Sequence, residues 1–438
     1  MNTVSNSLYN GGITAPFTKS GLLFLDKSKA AEQDDVIYYE KEIILNKLSQ
    51  FCYINIPKKY SHSFPLEIGK ICDYYLTSPM GRIALKKRFG KIEMEYDGWI
   101  DFLGDIRKNH YDISITAVFD DNQDHQTGLY GCIFRLKSLG DVIAFRGSEM
   151  LGNSYHKNDY ETDFALSYML ETPQQLRAIE FIKEYEHSLK GDVYLTGHSL
   201  GGNLAIYAML GAKGIQDKVA GCYAFNAPGF NDNFLVTYAS RIQAVSGKIF
   251  NYQNKYDMVS SIFNTIGDPI IIDSNYIPSE QKNYSLGNML YPHSNYCFKI
   301  KDGKMVRSKR KKKVMFCNDV FKMTKRFLQF PICARRDICG IILDILYSGD
   351  GELPVSKIID AIIIYCKAKK KDICTEIDDD LLSVLESAKT ICVNCTANQA
   401  LSLFREEMDL PKERSALAPR TELSIVNALQ LLLFNKSK

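Results

Sequence analysis

Ser199 stands in the stretch "YLTGHSLGGNLAIYAML", Tyr194 to Leu210, with Gly197 two residues before it and Gly201 two after. A serine hydroxyl is a weak nucleophile until something holds it clear of the chain and something takes its proton. A sharp strand-to-helix turn does the first job. Its backbone bends so tightly that side chains two positions either side of the serine would collide, so glycine is needed there, and Gly202 lets the following helix pack close to a sheet. "VYLT" reads as the strand and "NLAIYAML" as the helix. A passive serine in a glycine-rich turn is the bland reading, and an anion held at the helix N-terminus is another. No lysine follows the glycines, so the phosphate-loop pattern is not met.

Such a nucleophile needs a base, and in a sheet of this type the base follows the acid along the chain. Of the seven histidines, His62, His110, His125, His156 and His187 precede Ser199, and His198 adjoins it and points elsewhere if Ser199 is exposed. That leaves His293, in "GNMLYPHSNYCF". Between the two lies Asp257, in "IFNYQNKYDMVSS", a few residues beyond a β-rich run. Its carboxylate would accept from the distal imidazole nitrogen and hold the tautomer whose other nitrogen takes the serine proton. Asp268 and Asp273, in "NTIGDPIIIDSN", are rivals for the role. A solvated Asp257 that merely caps "MVSS" is the plain alternative. For the negative charge that develops on a carbonyl oxygen, one donor is the Leu200 N–H, directly after the nucleophile. A second is expected from "DVIAFRGSEM", where Arg146, Gly147 and Ser148 follow a strand. Ser148 offers both N–H and hydroxyl, and Arg146 is expected to pin this loop by pairing with a carboxylate.

These residues need a frame, and the patterns around them supply one. "ISITAVF", "LYGCIFRL" and "DVIAF" are β-rich, separated by turn residues, and read as neighbouring strands between Ile113 and Phe145. Strands then alternate with helices. "TPQQLRAIEFIKEYEHSLKG" has Thr172 as N-cap, Pro173 at the first helical position and Gln175 where a capping box wants it. Leu176, Ile179, Ile182 and Tyr185 are read as one apolar face. "DVYLT", "GCYAFNAP" and "GKIFNYQN" are further strands. Upstream, Ile44, Leu45, Leu48, Phe51 and Cys52 have helical spacing. The expected fold class is α/β, an α/β-hydrolase fold with a mainly parallel sheet covered by helices on both faces, plus a smaller helical C-terminal region. The expected divisions are an N-terminal extension (1–35), the hydrolase domain (36–305), a basic linker (306–326) and a helical C-terminal domain (327–438).

The chain has 438 residues and 28 glycines, is 45% apolar and carries a formal charge of +3, the profile of a globular protein with more than one core. No basic head with an apolar core opens it, and no uncharged apolar window is long enough to span a bilayer, so the expected location is cytoplasmic. The twelve cysteines are scattered and are read as reduced thiols. Cys392 and Cys395 have no second pair to complete a metal site.

The motifs "VIAFRGS", "VYLTGHSLGGNLAIYA", "CYAFNAPG", "NKYDMVS" and "YPH", in that order, resemble the class 3 lipase-like branch of α/β-hydrolases. More narrowly they resemble the Mbeg1-like family of bacterial proteins, over about residues 36 to 300. The early "EIILNKLSQFCYINIP" and "YETDFALSYML" resemble that family as well. The resemblance implies Ser199 as nucleophile, Asp257 as acid, His293 as base and Ser148 as oxyanion residue, where the family commonly has threonine. It also implies that Asp163 helps hold the loop bearing Arg146. The substrate of this narrower family is unsettled.

The expected activity is a serine carboxylic-ester hydrolase, a lipase, phospholipase or esterase working through an acyl-serine, with no metal or organic cofactor required. An acyl thioesterase or acyltransferase uses the same chemistry. A hydrolase scaffold kept for binding is the reading from a different class. Lys301 to Arg326 holds eleven Lys or Arg against two Asp, a net of +9, densest at Arg307, Lys309, Arg310, Lys311, Lys312 and Lys313. A solvated linker is the plain reading. Nucleic acid is disfavoured, because charge comes without a base-reading or stacking element. Peripheral contact with an anionic membrane fits a lipid substrate. Oligomeric state is not legible.

Overall fold

The computed structural model describes residues 39–61, 63–89, 93–121, 127–149, 157–277, 291–348, 360–365 and 367. The expected N-terminal extension, the Cys392–Cys395 pair and the expected C-terminal domain from 368 onward lie outside them.

Eight strands form one sheet in chain order: β1 (Leu66–Glu67), β2 (Ser114–Asp120), β3 (Tyr130–Leu136), β4 (Gly140–Phe145), β5 (Val193–His198), β6 (Val219–Phe225), β7 (Ile249–Asn254) and β8 (Pro269–Ile272). The first four pair antiparallel, and from β4 to β8 every pairing is parallel. The three segments read as neighbouring strands are indeed adjacent, as β2, β3 and β4. The switch has a simple cause. Only nine and three residues separate β2, β3 and β4, fewer than the dozen or so that a parallel crossover needs, whereas the helical crossovers after β4 bring the chain back in the same sense.

Strand residues alternate between two cores. Along β4, Val142 and Ala144 face one layer while Ile143 and Phe145 face the other. The first layer contains α1 (Lys41–Phe51), α2 (Ile68–Thr77), α3 (Pro79–Phe89) and α4 (Glu93–Asn109); after α5 (Lys157–Ala165), the second contains α6 (Pro173–Tyr185), α7 (Leu200–Gly211) and α8 (Asp232–Thr237). This is the α/β-hydrolase architecture. Helix α7 is buried from Leu200 to Leu210. A helix that is apolar on every side needs walls on every side, and β5, β6 and α6 provide them.

Helix α6 begins with the expected capping box: the Thr172 side chain accepts from Gln175 N, and Gln175 Oε1 accepts from Thr172 N. Its buried face differs from the sequence reading. Ala178, Phe181 and Ile182 are buried, whereas Leu176 is 46% exposed. A spacing of three residues drifts by about 60° per step around a helix of 3.6 residues per turn, so Leu176 and Tyr185 end on opposite sides.

Asp302 and Gly303 both have positive φ and close a small hairpin between Ile300–Lys301 and Lys304–Met305. The helices Met315–Phe327 and Ile332–Ser348 follow, and residues 360–365 are helical as well, so the stretch read as a linker is helical from 315 onward. The first two lie against the sheet domain. Lys325 Nζ donates to Asp232 Oδ1 (2.6 Å) and Asn264 Oδ1 (3.0 Å), buried Arg335 donates to Ser167 O, and Tyr347 OH donates to Lys157 O (2.8 Å).

Candidate active site

Ser199 occupies the single residue between β5 and α7, with φ 57° and ψ −132°. A side-chain-bearing residue held there costs about 1–3 kcal/mol, so its surroundings must fix it. Ser199 N donates to Phe225 O of β6 (2.9 Å), and Gly202 N donates back to Ser199 O (2.9 Å). A Cβ on Gly197 would fall 2.1 Å from Gly201 O, and one on Gly201 would fall 2.1 Å from Phe145 O. Neither position admits a larger residue. Although Ser199 sits at the N-cap position, where serine ordinarily bonds back to the helix, its side chain makes no cap hydrogen bond. The hydroxyl is spared for something else.

His293 ends the short turn Tyr291–His293, and its Nδ1 lies 3.0 Å from Asp257 Oδ1. Asp257 is 1% exposed, in the turn after β7. Its carboxylate also accepts from Val259 N (3.0 Å), Ser260 N (2.9 Å) and the Ser260 hydroxyl. The capping of "MVSS" is therefore real, but it is buried, and it coexists with the histidine contact. Burial alone would raise the Asp257 pKa. The His293 charge and hydrogen bond, then Lys313 and the Ser260 hydroxyl, outweigh it and hold the carboxyl well below its ordinary value. An ionised carboxylate only accepts, so the proton of this contact is on Nδ1. The rivals lie elsewhere: Asp273 pairs with Lys255 at 3.2 Å, and Asp268 is exposed.

His293 is fixed through its main chain as well. His198 Nε2 (2.6 Å) and Asn226 Nδ2 (2.8 Å) both bond His293 O, and the two imidazole centroids are 4.6 Å apart. Burial pushes His198 down to about 3, with the neighbouring His293 adding to the effect, so the ring is neutral and keeps one proton. Its bond to a carbonyl puts that proton on Nε2. Nδ1 then accepts from Tyr53 OH at 3.0 Å. The contacts of His293 run to Asp257 and to this neighbour of Ser199 rather than to Ser199 Oγ.

The loop after β4 lies against the turn: a Cβ on Gly147 would meet His198 O at 2.4 Å and Ser199 Cβ at 2.9 Å. Ser148 Oγ donates to Asp163 Oδ2 (2.5 Å) on the helix Lys157–Ala165. That proton is committed, so of the two donors expected of Ser148 the main-chain N–H is the one left over. Leu200 N–H opens α7 and is one of the four that no helical carbonyl takes. Burial raises Asp163 to about 7, against the Ser148 bond and with help from Asp159. Arg146 pairs with Glu149 Oε2 (3.4 Å), lies over the Tyr130 ring (4.3 Å) and shares Glu149 with Arg88. Asp163 thus reaches the loop through Ser148, while Arg146 braces it through Glu149.

In the basic tract, Arg307, Lys309, Arg310, Lys311 and Lys312 are exposed. Lys313 turns inward to the turn that carries Asp257. Tyr53, Asn226 and Ser260 were not singled out from the sequence, and Lys313 was read there only as one of the surface cations, whereas its ammonium is bonded to the Asp257 turn. Only Ser260, three residues after Asp257, stood at a spacing that hints at contact. Among the described residues no group of three or more His, Cys, Asp or Glu is placed to hold a metal ion, and no helix is long and apolar enough to cross a membrane.

Residues 107–311 match the Mbeg1-like family, the narrower resemblance read from the motifs. No curated protein matches the chain. Among solved structures, M37 lipase is 16% identical, with 52% of this chain and 70% of that one covered and a TM-score of 0.29. The Rhizopus microsporus var. chinensis lipase is 15% identical, with 58% and 96% covered and a TM-score of 0.29. The native Rhizomucor miehei lipase propeptide complex is 15% identical, with 63% and 95% covered and a TM-score of 0.27.

Proposed function

We propose that this protein is a serine hydrolase of carboxylic esters, with lipid esters the leading substrate class. One observation carries the reading. A serine held in a strained turn at the end of a central strand adjoins His198, and His198 bonds the main chain of a histidine whose own Nδ1 meets a buried carboxylate.

In this reading Ser199 Oγ forms a bond to the substrate carbonyl carbon as its proton passes to His293 Nε2. The carbonyl π electrons move onto oxygen, where the N–H groups of Leu200 and Ser148 stabilise them; one such donor is worth about 3 kcal/mol in the transition state. Collapse of the intermediate breaks the bond to the alcohol, which leaves with the proton from His293. Water then repeats the sequence on the acyl-serine and frees the acid. Asp257 stays ionised throughout and stabilises the imidazolium. The exposed basic residues Arg307, Lys309, Lys311 and Lys312 would hold the enzyme near an anionic lipid surface.

A total lipid extract incubated with the wild type and with S199A tests the reading. Free fatty acid and a deacylated partner accumulating only with the wild type would name the ester. A thioester consumed instead, or acyl groups moved to an alcohol, would redirect it to the thioesterase or transferase reading. No difference between the two proteins would refute it.

A further inference from the structure

The ammonium of Lys313 spends all three of its protons on the turn that carries Asp257. It donates to Asp257 O (2.9 Å), Ser260 Oγ (2.7 Å) and Ser261 Oγ (2.8 Å). The contact with Ser260 has a further effect. A hydroxyl has one proton, and an oxygen that already accepts from an ammonium must aim that proton elsewhere. Ser260 aims it at Asp257 Oδ2. With Ser260 N also on Oδ2, and with Val259 N and His293 Nδ1 on Oδ1, the carboxylate has little freedom to rotate away from the imidazole.

The chain around Lys313 is seated by main-chain and thiol contacts as well: Val314 N donates to Lys255 O (3.1 Å), and Cys317 Sγ donates to Asp257 O (3.3 Å). All three residues follow position 311, where the family match ends. We infer that Lys313 is a positioning residue for the proposed acid, so that the segment following the sheet domain completes the active site through an ammonium–serine–carboxylate relay. The inference rests on the hydrolase reading given above.

A lysine beside a carboxylate also has an electrostatic consequence that simple packing lacks. Its charge disfavours the imidazolium, while Asp257 favours it. The other titratable groups around this pair are His198 behind His293, Cys297 near Asp257, and Cys317 near Lys313. Burial disfavours the charged form of Lys313, and Asp257 and then Cys317 offset that in part.

The test uses the full chain and a fluorophosphonate probe, with the rate of Ser199 labelling followed from pH 5 to 9 in wild type, K313M, K313R and S260A. Folded K313M should label about tenfold more slowly, short of the ~100-fold that a misplacement of an ångström can cost. Removing the positive charge should also move its acid limb to higher pH, and K313R, which keeps the charge, should restore the limb. A folded K313M with the wild-type rate and limb overturns the inference. If K313M does not fold, S260A decides, since it cuts the relay and leaves the ammonium in place: slower labelling supports the inference, and an unchanged rate overturns it. A wild type that never labels at Ser199 fails the hydrolase reading itself and takes this inference with it; a labelled wild type beside an unaltered K313M fails the inference alone.

Discussion

Asp257 and Asp163 are both carboxylates beside a serine hydroxyl, yet their surroundings drive them apart. Asp257 has a cationic partner and several donors, and it is held ionised. Burial raises Asp163 to about 7, opposed by its one hydroxyl donor, Ser148, and helped by the negative neighbour Asp159. The first difference predicts activity. H293A should abolish ester turnover, and D257A should lower it by up to about 10⁴-fold, while D268A and D273A stay within severalfold of wild type. Steady-state kinetics on a short-chain ester checks this, and loss confined to D273A would move the acid role away from Asp257. The second difference predicts stability. A carboxyl raised on folding binds more protons in the native than in the unfolded state between its ordinary value near 4 and about 7. Stability therefore falls as pH rises through that window and levels off above it. D163N, which can still accept from Ser148, should remove this contribution and gain on wild type at pH 8, as read by urea unfolding from pH 4.5 to 8.

The elements explain which parts were readable from the chain alone. Thr172, Pro173 and Gln175 announce α6 because a cap is a local bond, made within four residues. T172A should cost about 1 kcal/mol, with a lower urea midpoint and an unchanged slope. The turn at Ser199 was legible for the same reason: strand, glycines and helix all lie within Tyr194 to Leu210. The meeting of Asp257 with His293 was expected from their order after Ser199 along the chain. The helix face was misread at Leu176, where a three-residue repeat imitates a stripe but winds around the helix. The bonds from Tyr53 to His198 and from Lys313 to Asp257 were illegible, because each joins segments 145 and 56 residues apart through packing that no local pattern encodes. Lys313 also sits in a run of cations, and charge spacing does not say which member points inward.

Across the whole molecule, the two helical layers position the turn, and the C-terminal helices brace both of its flanks. The Met315–Phe327 helix lies against the turn Val259–Ser261 behind the acid, and Ile332–Ser348 against the helix that carries Asp163. The basic tract divides accordingly, into an exposed set and an inward lysine. Replacing Arg307, Lys309, Lys311 and Lys312 by glutamine, with Lys313 left intact, should weaken binding to vesicles containing anionic lipid. Each well-placed cation contributes ~1 kcal/mol, so sedimentation should show the loss clearly and added salt should mimic it. Short-chain ester turnover should survive. Equal binding to neutral and anionic vesicles would reject the surface role and leave the chemistry untouched.

The central claim, that Ser199 is an activated nucleophile, is tested most directly by mass. Intact protein treated with a fluorophosphonate should gain one adduct, mapped to the peptide containing Ser199, with S199A unmodified and H293A strongly slowed. A folded wild type that gains no adduct, or one that carries it on another serine while S199A labels equally fast, would contradict the account.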